Sequence, residues 1–365
     1  MHKTALMSHK IAIIYGTRPE FLKVFPVINQ FHLQNKDILI VNTGQHDDLL
    51  SKMEESFDIK PDFRLSVQSL DFTNSNLIAK LINSLSDLIH KENITKIVAQ
   101  GDTFTVLASS IVAFLEKRKF YHIEAGLRTT DIRMPFPEEY NRRVVSLGSD
   151  VNFAPTTLSQ NNLLKEGIPS DKILLTGNTI VDMIQYILDK ENIEIEYQNK
   201  VFITAHRREN IGKPLQEISQ AIKELATENP TVTFEWALHP NPNTRKIILD
   251  VFQNEKPENL IFTEPLPYLE TIRKMASAKL IISDSGGIQE EAPSLKKRIL
   301  ILREETERPE VLDCNCGILV GHDLQTIKSE FYKIWDDEKE LMFKADKNPF
   351  GDGKASELIL KALLQ

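Results

Sequence analysis

The chain has 365 residues, more than a single hydrophobic core usually serves, so two domains are expected. Its 44 basic and 52 acidic residues give a net charge of −8, which provides no electrostatic footprint for nucleic acid or an anionic membrane surface, so an anionic ligand would need local arginines. No apolar run reaches membrane-spanning length, and the run at 11–15 is too short for a signal peptide, so a cytoplasmic location is expected.

Short apolar runs alternate with helix-length amphipathic stretches from end to end, which is the pattern of parallel sheets with crossover helices. The predicted fold class is therefore α/β. Strands are predicted in the first half at 11–15, 38–41, 97–99, 121–123, 151–154 and 173–175. In the second half they are predicted at 201–204, 233–238, 260–262, 280–283, 299–302 and 318–320.

The stretch 188–200 is polar, acidic and poor in core residues, which predicts a linker between two domains. The N-terminal domain is then expected at 1–187 and the C-terminal domain at 201–350. The stretch 355–364 has helical spacing, so residues 351–365 are expected to form a C-terminal helix that packs back on the body.

Unusual residues follow the predicted strands, and ligands of open parallel sheets bind outside the carboxyl ends of the strands. After the first strand, Pro19 and Glu20 are typical of a helix start, which places Arg18 and Lys23 at the positive end of a helix dipole. A cation is disfavoured there unless an anion is present, so an anion site is predicted. The alternative is a surface salt bridge with Glu20.

Carboxylates also follow the third and fourth predicted strands, and another lies at the start of a later predicted helix. Asp102 comes after the third strand and Glu124 after the fourth, although an acid in such a place can also cap the next helix. In the segment 134–143, two prolines stiffen a loop before Glu138, which shares a helix face with Arg142 four residues on. The alternative for Glu138 and Arg142 is an ordinary stabilising ion pair.

Two histidines, His206 and His239, are placed at further strand ends in the second half. Neither has a partner at zinc-binding spacing, so no metal site is predicted, and a structural role is the alternative for each. The two cysteines, Cys314 and Cys316, are too close for an unstrained disulfide and are expected to be reduced, incidental thiols.

The segment 284–291 places two glycines and a serine where a buried strand should turn into a helix. The amides of Ser285, Gly286 and Gly287 are expected to be unpaired and to approach a diphosphate closely. The Glu291 carboxylate, one turn further on, suits a ribose diol instead, so the segment predicts a nucleotide site. A simple tight turn is the alternative.

Seven motifs together resemble the non-hydrolysing UDP-N-acetylglucosamine 2-epimerases, in order and over nearly the whole chain. They are Gly-Thr-Arg-Pro-Glu, Gly-Asp-Thr, Glu-Ala-Gly-Leu-Arg-Thr, Pro-Glu-Glu-x-Asn-Arg, His-Arg-Arg-Glu-Asn, Asp-Ser-Gly-Gly-Ile-Gln-Glu-Glu-Ala-Pro-Ser and Thr-Glu-Arg-Pro-Glu. The resemblance implies two Rossmann-like domains facing each other across a cleft, as in GT-B glycosyltransferases, usually in a homodimer. It also implies conversion of UDP-N-acetylglucosamine (UDP-GlcNAc) to UDP-N-acetylmannosamine (UDP-ManNAc), a precursor of surface polysaccharides, with no metal and no other cofactor.

The family is understood to expel UDP from C1 as the C2 proton leaves, and to add it back to 2-acetamidoglucal after reprotonation on the opposite face. Such a route needs acid or base groups on both faces of the sugar and cations on the departing diphosphate. The resemblance implies that the first domain supplies the sugar-side acids and the second the UDP site, with domain closure assembling the two.

The roles that the resemblance carries to this sequence fall into three sets. The acid or base groups would be Asp102, Glu124 and Glu138, with His206 as a fourth participant near the glycosidic oxygen or diphosphate. The diphosphate would be held by Arg18, His206, Ser285, Gly286 and Gly287, and the sugar side ordered by Lys23, Arg142, His239 and Arg308. Glu291 would bind the ribose, and the backbone near Leu266 would read the uracil edge.

The sequence departs from the family in two places. A segment that often binds a second UDP-GlcNAc as an activator begins here with Gln45 and His46, but has Asp47 where a diphosphate-facing arginine is usual, so activation is expected to be weak or absent. Thr271 stands where an aromatic residue is common near the uracil. The alternatives to this function are a 2-epimerase of a related UDP-2-acetamido sugar and a GT-B transferase.

Overall fold

Two parallel sheets, one of seven strands and one of six, organise the chain. The computed structural model describes residues 10–45, 48–67, 73–337 and 348–365. The chain divides into two units: the first holds the residues up to Met183 together with Gly351–Gln365, and the second is Ile184–Phe350. Helices alternate with the strands of both sheets, so the predicted α/β class is confirmed.

The sheet of the first unit has the order β3-β2-β1-β4-β5-β6-β7. Its strands are β1 Ile11–Tyr15, β2 Leu39–Asn42, β3 Phe63–Arg64, β4 Lys96–Gln100, β5 Lys119–Ile123, β6 Val151–Ala154 and β7 Ile173–Leu175. The helices between them are α1 Arg18–Leu33, α2 Asp48–Ser56, α3 Asn74–Glu92, α4 Phe104–Leu115, α5 Glu138–Gly148, α6 Thr157–Lys165 and α7 Thr179–Lys190, with a 3-10 turn at Ser170–Lys172.

The sheet of the second unit has the order β10-β9-β8-β11-β12-β13. Its strands are β8 Gln198–Thr204, β9 Thr233–Ala237, β10 Leu260–Thr263, β11 Ala278–Ser283, β12 Arg298–Ile301 and β13 Gly317–Leu319. Its helices are α8 Lys213–Glu228, α9 Pro242–Val251, α10 Tyr268–Ser277, α11 Gly286–Glu291, α12 Glu310–Asp313 and α13 Leu324–Trp335, with a 3-10 turn at Arg208–Asn210.

The central strands are buried because each is covered by helices on both faces, and this is why they read as continuous apolar runs rather than alternating ones. All five residues of β1 are buried, and so are five of the six in β11. Every predicted strand is present to within a few residues. The short strand β3 was not predicted, since its two residues contain no apolar run.

The last helix, α14 Ala355–Leu364, belongs to the first unit and packs against α1. Its first turn is capped by the buried Asp182 carboxylate, which accepts hydrogen bonds from the amides of Ala355 (3.3 Å) and Ser356 (2.8 Å). At its other end the Lys96 ammonium donates to the Leu363 carbonyl at 2.6 Å. These polar contacts satisfy orphan groups at both helix ends.

Each sheet reverses its strand order once, between β1 and β4 in the first unit and between β8 and β11 in the second. At such a point the connections leave in opposite directions and open a crevice at the carboxyl ends of the two strands, where ligands of doubly wound sheets bind. Within the described residues, no helix is both long and apolar enough to cross a membrane.

Candidate active site

Lys23 and Glu124 form an ion pair at the carboxyl edge of the first sheet, and both side chains are nearly buried, 10% and 9% exposed. Glu124 follows β5 directly and has a φ of 65°, in the left-handed region that non-glycine residues rarely adopt. Backbone strain of this kind concentrates at functional sites. The structure therefore brings together two of the predicted site residues, which are 101 positions apart in the sequence.

Asp102 follows β4 and is held by Arg142, whose Nε donates to Asp102 Oδ2 at 2.8 Å. The same arginine donates from Nη1 to the fully buried Glu139 at 3.3 Å, so it bridges two carboxylates. Asn141 adds a hydrogen bond from Nδ2 to the Asp102 carbonyl at 2.7 Å. Asp102 is thus tied to α5 rather than acting as a helix cap, because Thr103 is the residue that caps α4.

A buried histidine supports the loop that carries Asp102. His122 Nε2 lies 2.7 Å from the carbonyl of Gly101, so that nitrogen carries the donating hydrogen. Burial lowers the pKa of His122 to about 4, and the ring is neutral at pH 7. Gly101 has a φ of +88°, a backbone conformation that residues with a side chain rarely adopt, so glycine is favoured at this position.

Glu138 begins α5 and is partly buried, and its Oε2 is buried with no hydrogen-bond partner among the described residues. The alternative of an ordinary ion pair applies to its neighbour, since Glu139 accepts from both Arg142 and Arg143. An unpaired buried carboxylate oxygen is costly. Among the predicted acids, Glu138 therefore has a carboxylate oxygen that is available to accept a hydrogen bond from a ligand.

Arg18 is exposed at the start of α1 and makes no hydrogen bond or ion pair within the described residues. The alternative salt bridge with Glu20 is not formed, because Glu20 is turned inward and accepts from the Gly16 amide at 3.0 Å and Thr103 Oγ1 at 2.7 Å. Burial raises the pKa of Glu20 to about 7, against the lowering effect of these hydrogen bonds.

Gln45 is partly buried, and its Oε1 accepts a hydrogen bond from Thr105 Oγ1 at 2.9 Å. Gly16 lies against the same group, since an added Cβ there would come within 2.3 Å of Thr43 Oγ1 and 2.4 Å of Thr105 Oγ1. The other residues of the predicted activator segment, His46 and Asp47, lie outside the described residues.

In the second unit, β11 turns into the short helix α11 at Ser285, which is the N-cap residue. The expectation for the Ser285 amide is wrong, because that amide donates to Ser283 Oγ at 3.0 Å and is not available to a ligand. The amides of Gly286 and Gly287 donate no hydrogen bond within the described residues. These two amides and the Ser285 hydroxyl therefore remain as donors at this turn.

Two arginines converge on the same turn. A Cβ added to Gly286 would lie 2.8 Å from Arg308 Nη1 and 3.0 Å from Arg207 Nη2. Arg308 is anchored by Glu290 and Glu307, whereas the Arg207 side chain makes no hydrogen bond or salt bridge within the described residues. Burial, together with the charges of neighbouring arginines, lowers the pKa of Arg207. Two like charges beside free amides fit an anion with more than one negative charge.

His206 and His239 stack on each other with ring centroids 5.0 Å apart and an interplanar angle of 6°. His206 follows β8, and its amide donates to the buried Asp284 at 2.8 Å. His239 Nδ1 accepts from the Asn241 amide at 3.2 Å. The structure thus brings the two predicted histidines together at the strand-order reversal of the second sheet.

Glu291 ends α11 and is nearly buried, with Tyr268 donating from its hydroxyl to Glu291 Oε1 at 2.9 Å. Leu266 is partly buried in the loop that leads into Tyr268, the first residue of α10. Thr271 lies on that helix and donates to the Pro267 carbonyl at 3.2 Å. The loop before α10 is thereby linked to the glutamate through Tyr268.

Sequence reasoning missed four residues that shape these sites: Glu20, Glu139, Arg207 and Asp284. Each lies inside a quoted motif, and the contacts of Glu20, Arg207 and Asp284 are with residues far along the chain that spacing does not reveal. Glu139 was missed because spacing alone does not tell which of the two adjacent glutamates pairs with the arginines. No group of three or more histidine, cysteine, aspartate or glutamate side chains in the described ranges could hold a metal ion. Cys314 and Cys316 are both free thiols.

Comparisons with known proteins give one consistent family. A family model described as UDP-N-acetylglucosamine 2-epimerase matches residues 30–364. A UDP-N-acetylglucosamine 2-epimerase of Neisseria meningitidis is 40% identical over 372 residues, covering 98% of this chain and 99% of the relative.

Two solved structures extend the similarity to three dimensions. The crystal structure of UDP-GlcNAc 2-epimerase from Neisseria meningitidis bound to UDP-GlcNAc matches with a TM-score of 0.88 at 38% identity, covering 97% of this chain and 99% of that one. The Methanocaldococcus jannaschii enzyme in complex with UDP-GlcNAc and UDP matches with a TM-score of 0.79 at 34% identity, covering 97% and 99%.

The family match covers most of the chain, and the relatives align over nearly their full length. The resemblance carried by the seven motifs is therefore confirmed, and the chain belongs to the UDP-N-acetylglucosamine 2-epimerase family.

Proposed function

We propose that the protein interconverts UDP-GlcNAc and UDP-ManNAc without hydrolysis, supplying an activated sugar for surface polysaccharides. The observation that carries the proposal is the pair of carboxylate–cation contacts at neighbouring strand ends, Glu124 with Lys23 and Asp102 with Arg142, in a member of this family. A relative of known structure binds UDP-GlcNAc, which supports the same substrate here.

The proposed reaction begins when a carboxylate removes the C2 proton while the C1–O bond breaks and its electron pair leaves with UDP. This gives 2-acetamidoglucal and UDP. A proton is then delivered to the opposite face of C2, and the diphosphate oxygen adds back to C1. Because one group cannot easily serve both faces, at least two of Asp102, Glu124 and Glu138 take part.

We assign the proton transfers to this set without ranking its members. Lys23 and Arg142 hold two of the carboxylates in fixed positions through ion pairs, which preorganises them for proton transfer. Glu138 has a buried oxygen with no partner among the described residues, which suits a substrate hydroxyl or the transferred proton.

The UDP moiety is proposed to bind at the β11–α11 turn. Arg207 would neutralise the diphosphate, and the Gly286 and Gly287 amides would donate to its oxygens. Arg308 was assigned from the sequence to the sugar side, but because it lies beside Gly286 we propose that it also contacts the diphosphate. We also assign Ser285 and Arg18 to the diphosphate. Glu291 is assigned to the ribose, and the backbone near Leu266 to the uracil. His206 and His239 would lie at the sugar end of the diphosphate.

Proton NMR of the protein with UDP-GlcNAc in deuterated water tests the reaction. The expected result is deuterium at C2 and a new anomeric signal from UDP-ManNAc, with no lasting free sugar. Free N-acetylmannosamine would assign the chain to the hydrolysing branch. An unchanged spectrum despite UDP binding would contradict the proposed substrate and favour a related UDP-2-acetamido sugar or a transferase.

We also propose that activation by a second UDP-GlcNAc is weak or absent, because Asp47 reverses the charge expected of the activator segment. Gln45 is already engaged by Thr105, which supports a structural role for its side chain. Initial rates should follow a hyperbola with substrate concentration. Sigmoidal kinetics that Gln45→Ala abolishes would overturn this proposal.

A homodimer is proposed to form through an apolar surface on α4 and α5. Phe114 (73%), Leu115 (65%) and Leu147 (76%) are exposed on these helices, which approach closely where Gly148 meets Ser110. Analytical ultracentrifugation should give a dimer that Phe114→Asp dissociates. Leu33→Asp is the control, because Leu33 is also an exposed apolar side chain, 67% exposed, at the end of α1.

A cytoplasmic location is proposed as well. Both cysteines are free, as expected in a reducing compartment. Cell fractionation with antibody detection should find the protein with soluble cytoplasmic markers, and recovery with the membrane or exported fraction would contradict this.

A further inference from the structure

Asp284 is fully buried at the end of β11, and its two oxygens have different surroundings. Oδ2 accepts three hydrogen bonds, from the amides of His206 and Arg207, both at 2.8 Å, and from Asn210 Nδ2 at 3.0 Å. This oxygen therefore holds the loop after β8 in place.

The second oxygen, Oδ1, is buried and has no hydrogen bond within the described residues. It lies 3.5 Å from His206 Nδ1, the ring nitrogen that faces it. A buried carboxylate oxygen without a donor is costly. A hydrogen on His206 Nδ1 supplies a donor to this oxygen, and it leaves Nε2 of the neutral ring as an acceptor.

The neighbouring ring has the opposite arrangement. His239 Nδ1 accepts from the Asn241 amide, so the hydrogen of the neutral His239 ring is on Nε2. The two rings are nearly parallel and 5.0 Å apart, and two stacked cations would repel each other. The two rings therefore differ in their surroundings, because Nδ1 of His206 faces a carboxylate oxygen and Nδ1 of His239 accepts from an amide.

We propose that Asp284 is a positioning residue that fixes His206 in the Nδ1–H form and stabilises its protonated state. The proposal deepens the proposed function, on which its catalytic part rests. A proton on Nε2 would be donated toward the oxygen that links C1 to the diphosphate as that bond breaks, and it would return to Nε2 when UDP adds back. Asp284 acts through His206 and does not touch the substrate.

The Asp284→Asn variant separates this role from loop support. Its amide oxygen can keep the contacts of Oδ2, while its NH2 faces His206 Nδ1 and can only donate. The ring must then accept at Nδ1 and carry its hydrogen on Nε2. The analogous change in serine proteases leaves the geometry intact and lowers kcat by about 10⁴-fold through the wrong tautomer.

The first measurement is the ¹⁵N spectrum of histidine-labelled, full-length protein without substrate, with the His206 signals assigned by their loss in His206→Gln. Wild type is expected to show the Nδ1–H tautomer, and Asp284→Asn the Nε2–H tautomer. A neutral wild-type ring with its single hydrogen on Nε2, or the same tautomer in both proteins, would overturn the proposal. This readout needs no catalysis, so it is independent of the proposed function.

The second measurement compares turnover. Asp284→Asn is expected to lower kcat by roughly 10- to 100-fold with little change in the Kd of UDP. Asn210→Ser is the matched control, because it removes one donor to Oδ2 and leaves Oδ1 beside His206. It should keep the wild-type tautomer and most of the turnover. Equal losses of kcat in the two variants would mean that Asp284 only supports the loop.

Discussion

The candidate site of the first unit, at the ends of β4 and β5, and that of the second unit, at the β11–α11 turn, differ in how their buried charges are paired. In the first unit, Lys23 is paired with Glu124, and Arg142 bridges Asp102 and Glu139. In the second unit, Arg207 makes no ion pair within the described residues, although burial already lowers its pKa. The charges of Lys23, Glu124, Arg142 and Asp102 in the first site are therefore paired within the protein, while the Arg207 guanidinium of the second site is not.

This contrast fits the chemistry proposed for each site. A sugar ring is neutral, so a site that handles it needs carboxylates in fixed places rather than excess charge. A diphosphate carries negative charge, and an uncompensated guanidinium beside free amides gains most when such a ligand arrives. The difference predicts that changes to the paired carboxylates of the first site alter turnover, and that changes to Arg207 and the glycine turn of the second site alter UDP affinity.

The largest effect is expected from the carboxylates of the first site. Asp102→Asn and Glu124→Gln should each lower turnover by on the order of a hundredfold or more, because each removes a proton acceptor. Isothermal titration calorimetry should show nearly unchanged UDP binding. Glu166→Gln is the matched control, since Glu166 is also paired with an arginine, Arg128. Near-normal turnover in both variants would remove the contrast between the sites.

A second test concerns Glu20, the buried acid of the first unit whose partners are a hydroxyl and an amide rather than a cation. Its folded pKa of about 7 lies above the ordinary value of 4.5, so ionisation between these values favours the unfolded chain. Stability from this group is complete below pH 4.5 and is lost as the pH rises to 7. Glu20→Gln should therefore gain up to about 3 kcal/mol relative to wild type across that interval.

Equilibrium urea unfolding at a series of pH values measures this difference. Glu92→Gln provides a control of opposite sign, because Lys10 lowers the pKa of Glu92 and that stability is lost as the pH falls. A constant difference between wild type and Glu20→Gln from pH 4.5 to 8 would show that Glu20 is not the uncompensated acid of this site.

The fold was largely predictable from the sequence, because buried parallel strands are apolar throughout and each predicted strand falls on an observed one. The strand β3 was not predicted because its two residues are too few to show a hydrophobic pattern. The helical spacing at 355–364 coincides with the observed helix because its periodicity is clear, although the expected helix at 351–365 was longer by four residues at its start and one at its end. These features are local, and local sequence is sufficient to indicate them.

The site was predictable only in part. Spacing and strand ends indicated Asp102, Glu124 and His206, since the carboxyl edge of a parallel sheet gathers residues distant in sequence. The partners were not predictable, because Asp102–Arg142 and His206–Asp284 join positions that no periodicity relates. The Ser285 amide was wrongly expected to be free, since the competing Ser283 hydroxyl belongs to the preceding strand.

A third test concerns the uncompensated charge of the second site. Arg207→Gln should raise the Kd of UDP by about 10- to 100-fold, which corresponds to the loss of a charge-assisted hydrogen bond. Arg208→Gln is the matched control, because it is the next residue and its side chain is exposed. Equal affinities for Arg207→Gln and wild type would show that the free charge does not serve the ligand.

The smallest effect is expected from the glycines of the same turn. A Cβ on Gly287 would meet Ser285 Oγ at 3.8 Å and Glu291 Oε1 at 4.0 Å, so Gly287→Ala should fold normally. A loss of a few-fold in UDP affinity, measured by calorimetry, would then report a close approach of the ligand itself. Gly286→Ala is the comparison, because its Cβ would displace Arg308 and Arg207, and a larger loss is expected there. Unchanged affinity in Gly287→Ala would place the diphosphate against the arginines alone, with no contact to the backbone at Gly287.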